Sequence, residues 1–241
     1  ASANVEWRAA AAHHPNTPPA LLAALAGDAD SGVREEVAGN TAAPTDVLVG
    51  LVGDEAQGVR YALALNPSTP TDILYANTQE GSAISTHAGR NPNLSADDIR
   101  RALASGVQGM DYAIARNPSA PEDVLWVLAT STDDGVRSGV AGNPSTPQKV
   151  LEDFHRADTM LGELAKNPST PTHIVDDLAL RVGEGPNPAP RYRSAVANPN
   201  ISGETLRATM HANPQGALLN PKLTREMADE LVAYLDSPDY K

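Results

Sequence analysis

The sequence of 241 residues contains no cysteine, which excludes disulfides, thiolate nucleophiles, zinc–thiolate sites and iron–sulfur clusters within these residues. Aromatic residues make up only 4% of the chain, too few for the usual compact core of this length. Basic residues are also few, and a net charge of −12 argues against a broad nucleic-acid surface, because such a chain repels phosphate. A local basic groove stays open. No apolar run approaches the roughly 20 residues that a membrane helix needs.

What the sequence has instead is a repeated turn. The string "LNPSTPTDIL" at 65–74 returns as "RNPSAPEDVL" at 116–125, "GNPSTPQKVL" at 142–151 and "KNPSTPTHIV" at 166–175. The residue before the first proline, or its equivalent, serves as a marker for each repeat. The markers are His14, Asn40, Asn66, Asn91, Asn117, Asn143, Asn167, Asn198 and Asn220. Most of their spacings lie within two residues of 26, which is typical of a solenoid repeat.

Each repeat predicts two short helices. The Thr before the second proline, as in Thr69-Pro70, is expected to cap the first helix, with Pro at its first position. Where this Thr is missing, Ser95, Ser202 and Thr224 are the expected caps. Apolar residues then recur at i, i+1 and i+4, which defines one buried face of a short helix.

The second helix precedes the next marker, as in "GVRYALALN", which ends at Asn66. Its apolar residues are four apart and share a face. The marker Asn is expected to end this helix because Asn tolerates the left-handed conformation, and the Pro after it disfavours αR. One repeat is too small to bury its apolar side alone, so the repeats are predicted to stack.

The core N-P-x-x-P-x-x-[VIL]-L-x-x-L, followed by V-R-x-x-V-A, recurs from about Trp7 to Leu235 and resembles the variant leucine-rich repeat family. The resemblance implies an all-α fold without β-sheet, in which short α-helices alternate with short α- or 3₁₀-helices in a right-handed solenoid. Some members of the family hold an iron–sulfur cluster in a cysteine-rich segment. That cofactor does not transfer to a chain without cysteine, and the family has no general enzymatic activity to transfer.

The expected organisation is a single helical array over 1–241. A half repeat occupies 1–13, full repeats occupy 14–223, a final helix occupies 224–235 and a tail occupies 236–241. The chain begins without Met, which suggests a fragment or a processed chain. Arg outnumbers Lys by 14 to 4, and Ala is abundant, which favours a bacterial and cytoplasmic protein on composition alone.

One repeat position often holds arginine. Its members are Arg8, Arg34, Arg60, Arg137 and Arg193. We expect these side chains to pair with loop acids such as Asp28, Asp54 and Asp134. A cationic stripe for phosphate is the alternative, although Asp111 and Leu161 interrupt the position.

No catalytic or metal-binding motif is present. His173 and Asp177 are four residues apart and suit a metal on a helix face, but no second pair of ligands accompanies them. "STDDG" at 131–135 lacks the alternating ligands and distal Glu of a calcium loop. The sequence therefore predicts neither catalytic residues nor a metal or cofactor.

The candidate partner-binding residues are those that the fold does not need. They lie at helix positions expected to point outward, and they are Tyr61, Tyr75, Arg100, Arg101, Tyr112 and Trp126. Exposed aromatic residues beside Arg are typical of interface hot spots, so an aromatic stripe across the middle repeats is predicted. The alternative is that these rings fill gaps between repeats. The insertion "VGEGPNPAP" at 182–190 is a second candidate, as a projecting loop or a tolerated one.

The sequence thus favours a non-enzymatic scaffold that binds another protein through its repeated surface. A second hypothesis is nucleic-acid binding by a local face that contains Arg100, Arg101, Arg191 and Arg193. A third is that the chain is the regulatory region of a larger enzyme. Partner identity and oligomeric state are left open.

Overall fold

A computed structural model describes residues 4–78, 83–181 and 190–237. These residues contain 18 helices and no strand. The helices are α1 Val5–His13, α2 Pro19–Leu25, α3 Ser31–Gly39, α4 Thr45–Gly50, α5 Gln57–Leu65, α6 Thr71–Thr78, α7 Ala83–Arg90, α8 Ala96–Ala104, α9 Met110–Ala115, α10 Glu122–Ala129, α11 Asp134–Gly142, α12 Gln148–Arg156, α13 Leu161–Lys166, α14 Thr172–Leu180, α15 Pro190–Ala197, α16 Gly203–Thr209, α17 Pro214–Leu218 and α18 Arg225–Leu235. The all-helical prediction is confirmed for this part of the chain. No helix within the same ranges is long and apolar enough to cross a membrane.

The chain divides into two compact units, residues 1–124 and 125–241. In the first unit, the odd-numbered helices from α1 to α9 each pack on the next odd-numbered helix. In the second unit, α11, α13, α15 and α17 pack in the same way. Each repeat therefore contributes one even-numbered helix after its marker and one odd-numbered helix before the next marker. The single array over 1–241 and the right-handed sense of the solenoid stay predictions.

The predicted apolar positions form the core. On the even-numbered helices the second residue of the apolar pair is buried completely, as at Leu22, Leu48 and Leu74. On the odd-numbered helices the pair four apart is buried, as at Val33 and Val37. The apolar periodicity of each short helix thus selects the face that packs on the neighbouring repeats.

The marker asparagines do not use the left-handed conformation, so that prediction was wrong. Asn40 has φ −76° and ψ 118°, and Asn66 has φ −69° and ψ 118°, both extended. Their side chains are buried instead, with 5% and 2% exposure. The helix ends there because the amide side chain is directed into the preceding repeat.

The buried amides form an asparagine ladder that joins consecutive repeats. Asn66 Nδ2 donates to the carbonyl oxygens of Ala38 at 2.7 Å and Asn40 at 3.1 Å. Its Oδ1 accepts the backbone N–H of Ser68 at 2.8 Å. The same three bonds occur at Asn40, Asn91, Asn117, Asn167, Asn198 and Asn220. Each amide donates to a carbonyl at the C-terminal end of the odd-numbered helix in the preceding repeat. This bond fixes the register of the repeats.

The Thr before the second proline also has a different role from the predicted cap. Thr69 Oγ1 donates to the carbonyl of Leu63 at 2.8 Å, and Thr170 Oγ1 donates to that of Leu164 at 2.8 Å. The N-cap residue of the following helix is then the proline itself, as at Pro171, without a side-chain bond. Thr is buried here, so its hydroxyl satisfies the helix that has just ended rather than the one that begins.

The three alternative caps behave as predicted. The hydroxyls of Ser95, Ser202 and Thr224 accept the backbone N–H three residues later, at 3.2, 3.1 and 3.2 Å. Thr224 is the N-cap residue of α18. These repeats have no second proline after the turn, so the capping hydroxyl replaces it.

Candidate protein-binding surface

The repeated arginines are used within the fold. Arg8 binds Asp28 through Nε and Nη2 at 2.6 and 3.0 Å, and Arg34 binds Asp54 in the same way at 2.7 and 2.9 Å. The Arg34 Nη1 also donates to the carbonyl of Asp28 at 2.9 Å. The predicted pairing with loop acids is confirmed at Arg8 and Arg34. Because carboxylates already bind these two arginines, they are poor candidates for the alternative, a cationic stripe that binds phosphate.

Arg137 also pairs with the predicted Asp134, but that acid lies three residues earlier on the same helix, and Arg137 Nη1 donates to the carbonyl of Ser131. Leu161, placed by the sequence at the arginine position, is instead 7% exposed and fills the apolar position of α13. The reason is that α13 has only six residues and begins at Leu161, which packs together with Leu164 and Ala165. Arg193 is exposed.

The loop acids are held in their ionised form. Hydrogen bonds from Arg8 lower the pKa of Asp28, and hydrogen bonds from Arg34 lower the pKa of Asp54. Both carboxylates also accept backbone N–H groups of their own loops, at Asp30 and Ala56, each at 2.9 Å. One carboxylate thus orders its loop and ties that loop to the helix before it.

Two of the six candidate residues lie on the odd-numbered helices of the first compact unit. Tyr61 on α5 is 37% exposed, and its ring meets His87 of α7 edge-on with centroids 4.5 Å apart. Tyr112 on α9 is also 37% exposed. The Arg116 guanidinium lies 3.8 Å from the Tyr112 ring centroid, and that of Arg90 lies 5.1 Å away. These five residues define the Tyr112 face.

Three other candidates lie on the even-numbered helices. Tyr75 on α6 is half-buried, and the Arg101 guanidinium of α8 lies 4.0 Å from its ring centroid. Arg101 also donates to Asp98 at 2.8 Å. Arg100 donates to Asp97 at 3.0 Å and to both oxygens of Asp123 at 3.0 Å. Local carboxylates therefore neutralise both arginines.

Trp126 belongs to the second compact unit and is 42% exposed on α10. The six candidates therefore fall into a pair on the odd-numbered helices, a group on the even-numbered helices and one residue in the other unit. Their role in binding a partner stays a prediction.

Sequence reasoning missed three members of the Tyr112 face, His87, Arg90 and Arg116. Arg90 and Arg116 directly precede markers, as Leu65 does one repeat earlier. The signal in the sequence is the residue directly before the marker, which is Leu, Arg and Arg in three consecutive repeats. Leu65 is 49% exposed.

A cleft with a volume of about 430 Å³ lies beside Tyr61 in the first unit. Glu35, Glu36, Leu65 and His13 contribute to its walls, and His13 Nδ1 lies 2.8 Å from a Glu36 carboxylate oxygen. The cleft is open and acidic at this end. It extends the Tyr112 face toward the start of the chain with charge of the opposite sign.

The His173–Asp177 pair does not form a metal site. Asp177 is bonded to His155 at 2.8 Å and to Arg181 at 2.7 Å. Within the residues described, no group of three His, Asp or Glu side chains is placed to hold a metal. In "STDDG", Asp133 Oδ1 accepts the N–H groups of Gly135 and Val136 and caps α11. The predicted loop at 182–190 falls largely outside the described residues.

Residues 5–30 match the family described as "Leucine rich repeat variant". This segment is similar to one leucine-rich repeat variant unit. Among solved structures, the chain is similar to a protein described as "a leucine-rich repeat variant with a novel repetitive protein structural motif", at 19% identity and a TM-score of 0.45. That match covers 63% of this chain and 60% of the other protein's chain. No curated protein sequence matches the chain.

The matched leucine-rich repeat variant segment contains α1, α2 and the loop that ends at Asp30. The bonds of the asparagine ladder recur at later markers, from Asn40 in the first compact unit to Asn220 in the second.

Proposed function

We propose that this leucine-rich repeat variant is a non-enzymatic scaffold that binds another protein through the Tyr112 face. The main support is the exposure of Tyr61 and Tyr112 on packed, regular helices, with two arginines against the Tyr112 ring. Tyr and Arg are enriched among residues that dominate binding energy at interfaces, because they combine large contact area with directional hydrogen bonds. The rigid helices of the repeats would hold these side chains in place before binding.

The two rings are not required by the packing of the repeats. The equivalent positions on neighbouring odd-numbered helices hold Glu35, Thr86 and Ser138. A position that accepts an acid, a hydroxyl and a large ring in one fold is set by the surface and not by the core. This supports a binding role for Tyr61 and Tyr112 over a gap-filling one.

The nucleic-acid hypothesis has weaker support. Arg100 and Arg101 are already bound by Asp97, Asp98 and Asp123, so a phosphate would have to displace carboxylates. The side chain of Arg191 is outside the described residues.

A regulatory region of a larger enzyme would use the same protein-binding surface. For the compartment we propose the bacterial cytoplasm, which is supported by composition alone.

The test uses the full chain as bait, with Tyr61→Ala and Tyr112→Ala variants and quantitative mass spectrometry of the captured proteins after nuclease treatment. We expect at least one protein to be captured by the wild type and lost from both variants. Trp7→Ala is the control, because Trp7 is an aromatic residue with 74% exposure on α1, away from the Tyr112 face. Far-UV circular dichroism checks the fold of all variants. Identical sets of captured proteins would contradict the proposal.

A further inference from the structure

We infer that the partner binds the Tyr112 face through an acidic peptide segment, with a carboxylate on Arg90 and an apolar side chain against Leu65, which ends the neighbouring helix α5. This inference rests on the proposed function and specifies the chemistry of the partner. It is drawn from the state of the Arg90 side chain, the stacking of Arg116 and the charges around them.

Arg90 is a half-buried cation without a carboxylate partner in the described part of the chain. Its Nε is buried and has no hydrogen-bond acceptor. Arg34, also largely buried, has both oxygens of Asp54, and the more exposed Arg100 has two carboxylates. The charge of Arg90 is therefore not balanced by a paired carboxylate, and an incoming carboxylate on the accessible part of its guanidinium would supply the missing counter-charge.

Arg116 lies against the Tyr112 ring at 3.8 Å, and its Nη1 donates to the Tyr112 carbonyl at 3.4 Å. A guanidinium that stacks on a ring uses its flat face for the contact. The Tyr112 ring therefore orients a cation next to Arg90 and limits the entropy lost when a ligand binds.

The electrostatic environment of this face is positive. The pKa of His87 is lowered by burial and then by the positive charge of Arg90, and no carboxylate acts in the opposite direction. The acid closest in sequence, Asp111, has an oxygen that accepts the backbone N–H of Tyr112 at 2.9 Å. A net positive surface on a chain with a net charge of −12 is a local exception that fits a small anionic segment.

The size of the face favours a peptide over a nucleic acid. Leu65, Arg90 and Arg116 occupy one repeat position on three successive odd-numbered helices, with Tyr61 and Tyr112 beside them. Acidic residues at Glu35 and Glu36 lie at the Tyr61 end and would repel a continuous polyanion. A short segment with acids at one end and an apolar or basic residue at the other matches this pattern.

The test selects random 12-residue peptides displayed on phage against the full chain and, in parallel, against Arg90→Glu. We expect Asp and Glu to be enriched in peptides selected by the wild type relative to the unselected library, and this enrichment to be lost with Arg90→Glu. The peptide selected most often is then labelled, and its binding is measured by fluorescence anisotropy. Arg90→Gln should raise its Kd about tenfold, the loss of one charge-assisted interaction. Arg193→Gln, at an exposed arginine in the other compact unit, should leave the Kd unchanged.

A single-stranded oligonucleotide serves as a competitor. Selected peptides without acidic enrichment, an unchanged Kd for Arg90→Gln, or tighter binding of the oligonucleotide would each overturn the inference. If that happens while Tyr61→Ala and Tyr112→Ala still lose a captured protein, the scaffold proposal stands and only the acidic partner is wrong. Loss of both results would reject the Tyr112 face altogether.

Discussion

Replacing Asn66 by Ala tests the claim that buried amides hold the repeats together. The substitution removes three hydrogen bonds at once, two donated to the carbonyls of Ala38 and Asn40 and one accepted from the N–H of Ser68. Asn66 is only 2% exposed, so water does not replace the missing amide without opening the layer. The free energy of unfolding should therefore fall by more than it does when an ordinary surface hydrogen bond is removed.

The magnitude follows from what each group retains. The Ala38 carbonyl, near the end of α3, loses a buried partner, which costs about 1–3 kcal/mol. The Asn40 carbonyl keeps the N–H of Ala43 at 3.0 Å, and Ser68 is only half-buried, so these two losses cost about 1 kcal/mol each. We expect the free energy of unfolding to fall by about 3–5 kcal/mol, a large share of the roughly 5–15 kcal/mol typical of a domain.

Equilibrium urea unfolding followed by far-UV circular dichroism measures this change. Asn16→Ala is the matched control, because Asn16 is exposed and no hydrogen bond of its side chain occurs in the described structure. Its stability should change by less than about 0.5 kcal/mol. If Asn66→Ala loses no more stability than Asn16→Ala, the ladder does not hold the layers and the account of the repeat is wrong.

Three further substitutions test other parts of the repeat. Thr69→Val removes a buried hydroxyl and should cost about 1–2 kcal/mol in urea unfolding, since the Leu63 carbonyl then keeps only the N–H of Asn66 at 3.3 Å. Arg34 lowers the pKa of Asp54, so the stability this pair provides is complete above the unfolded-state pKa of about 3.9 and is lost as pH falls through the lower folded-state value. Asp54→Asn should flatten the loss of melting temperature on acidification, and an unchanged acid profile would disprove the link. Gly89→Ala should destabilise by about 1–3 kcal/mol, because its Cβ would lie 2.8 Å from a buried methionine sulfur, whereas Gly50→Ala, with no atom within 4 Å, should be neutral or slightly stabilising.

The repeat and its buried face could be predicted because they depend on local spacing. Leu48 and Leu74 occupy the position that the apolar periodicity assigns to the core, and both are fully buried. The capping hydroxyls at Ser95, Ser202 and Thr224 were also predictable, since a cap and its N–H are three residues apart. Contacts of short range leave a direct pattern in the sequence.

The role of the marker asparagines could not be derived in the same way, because their partners lie in the preceding repeat. Asn198 donates to carbonyls 33 and 31 residues away, across the long insertion. One signal was nevertheless present. A left-handed helix end usually holds Gly, yet every marker after His14 is Asn. A position that never accepts Gly requires a side chain, and this requirement indicates a bonded amide.

The Tyr112 face also combines features that local spacing predicts with features that depend on packing between repeats. The exposure of Tyr61 and Tyr112 was predictable from helical position, but the placement of Arg90 and Arg116 against one ring depends on how α7 and α9 pack. Likewise, Arg100 and Arg101 looked like a cationic pair, and only the geometry shows the carboxylates that neutralise them. Charge alone in the sequence does not distinguish a paired arginine from one that can bind a ligand.

The polar ladders explain why such a surface can vary. Registration of the repeats depends on buried asparagines, threonines and loop acids, none of which lies at the outward helix positions. Substitutions at those positions, which hold Glu35 on α3, Tyr61 on α5 and Tyr112 on α9, therefore change the surface with little effect on the layers beneath. In such a fold, stability depends on the buried residues and surface chemistry on the outward ones. A binding face can therefore arise by changing only the outward residues. At the Tyr112 face, Arg90 has a buried Nε without an acceptor, whereas Arg8 and Arg34 of the same unit are each paired with a loop carboxylate.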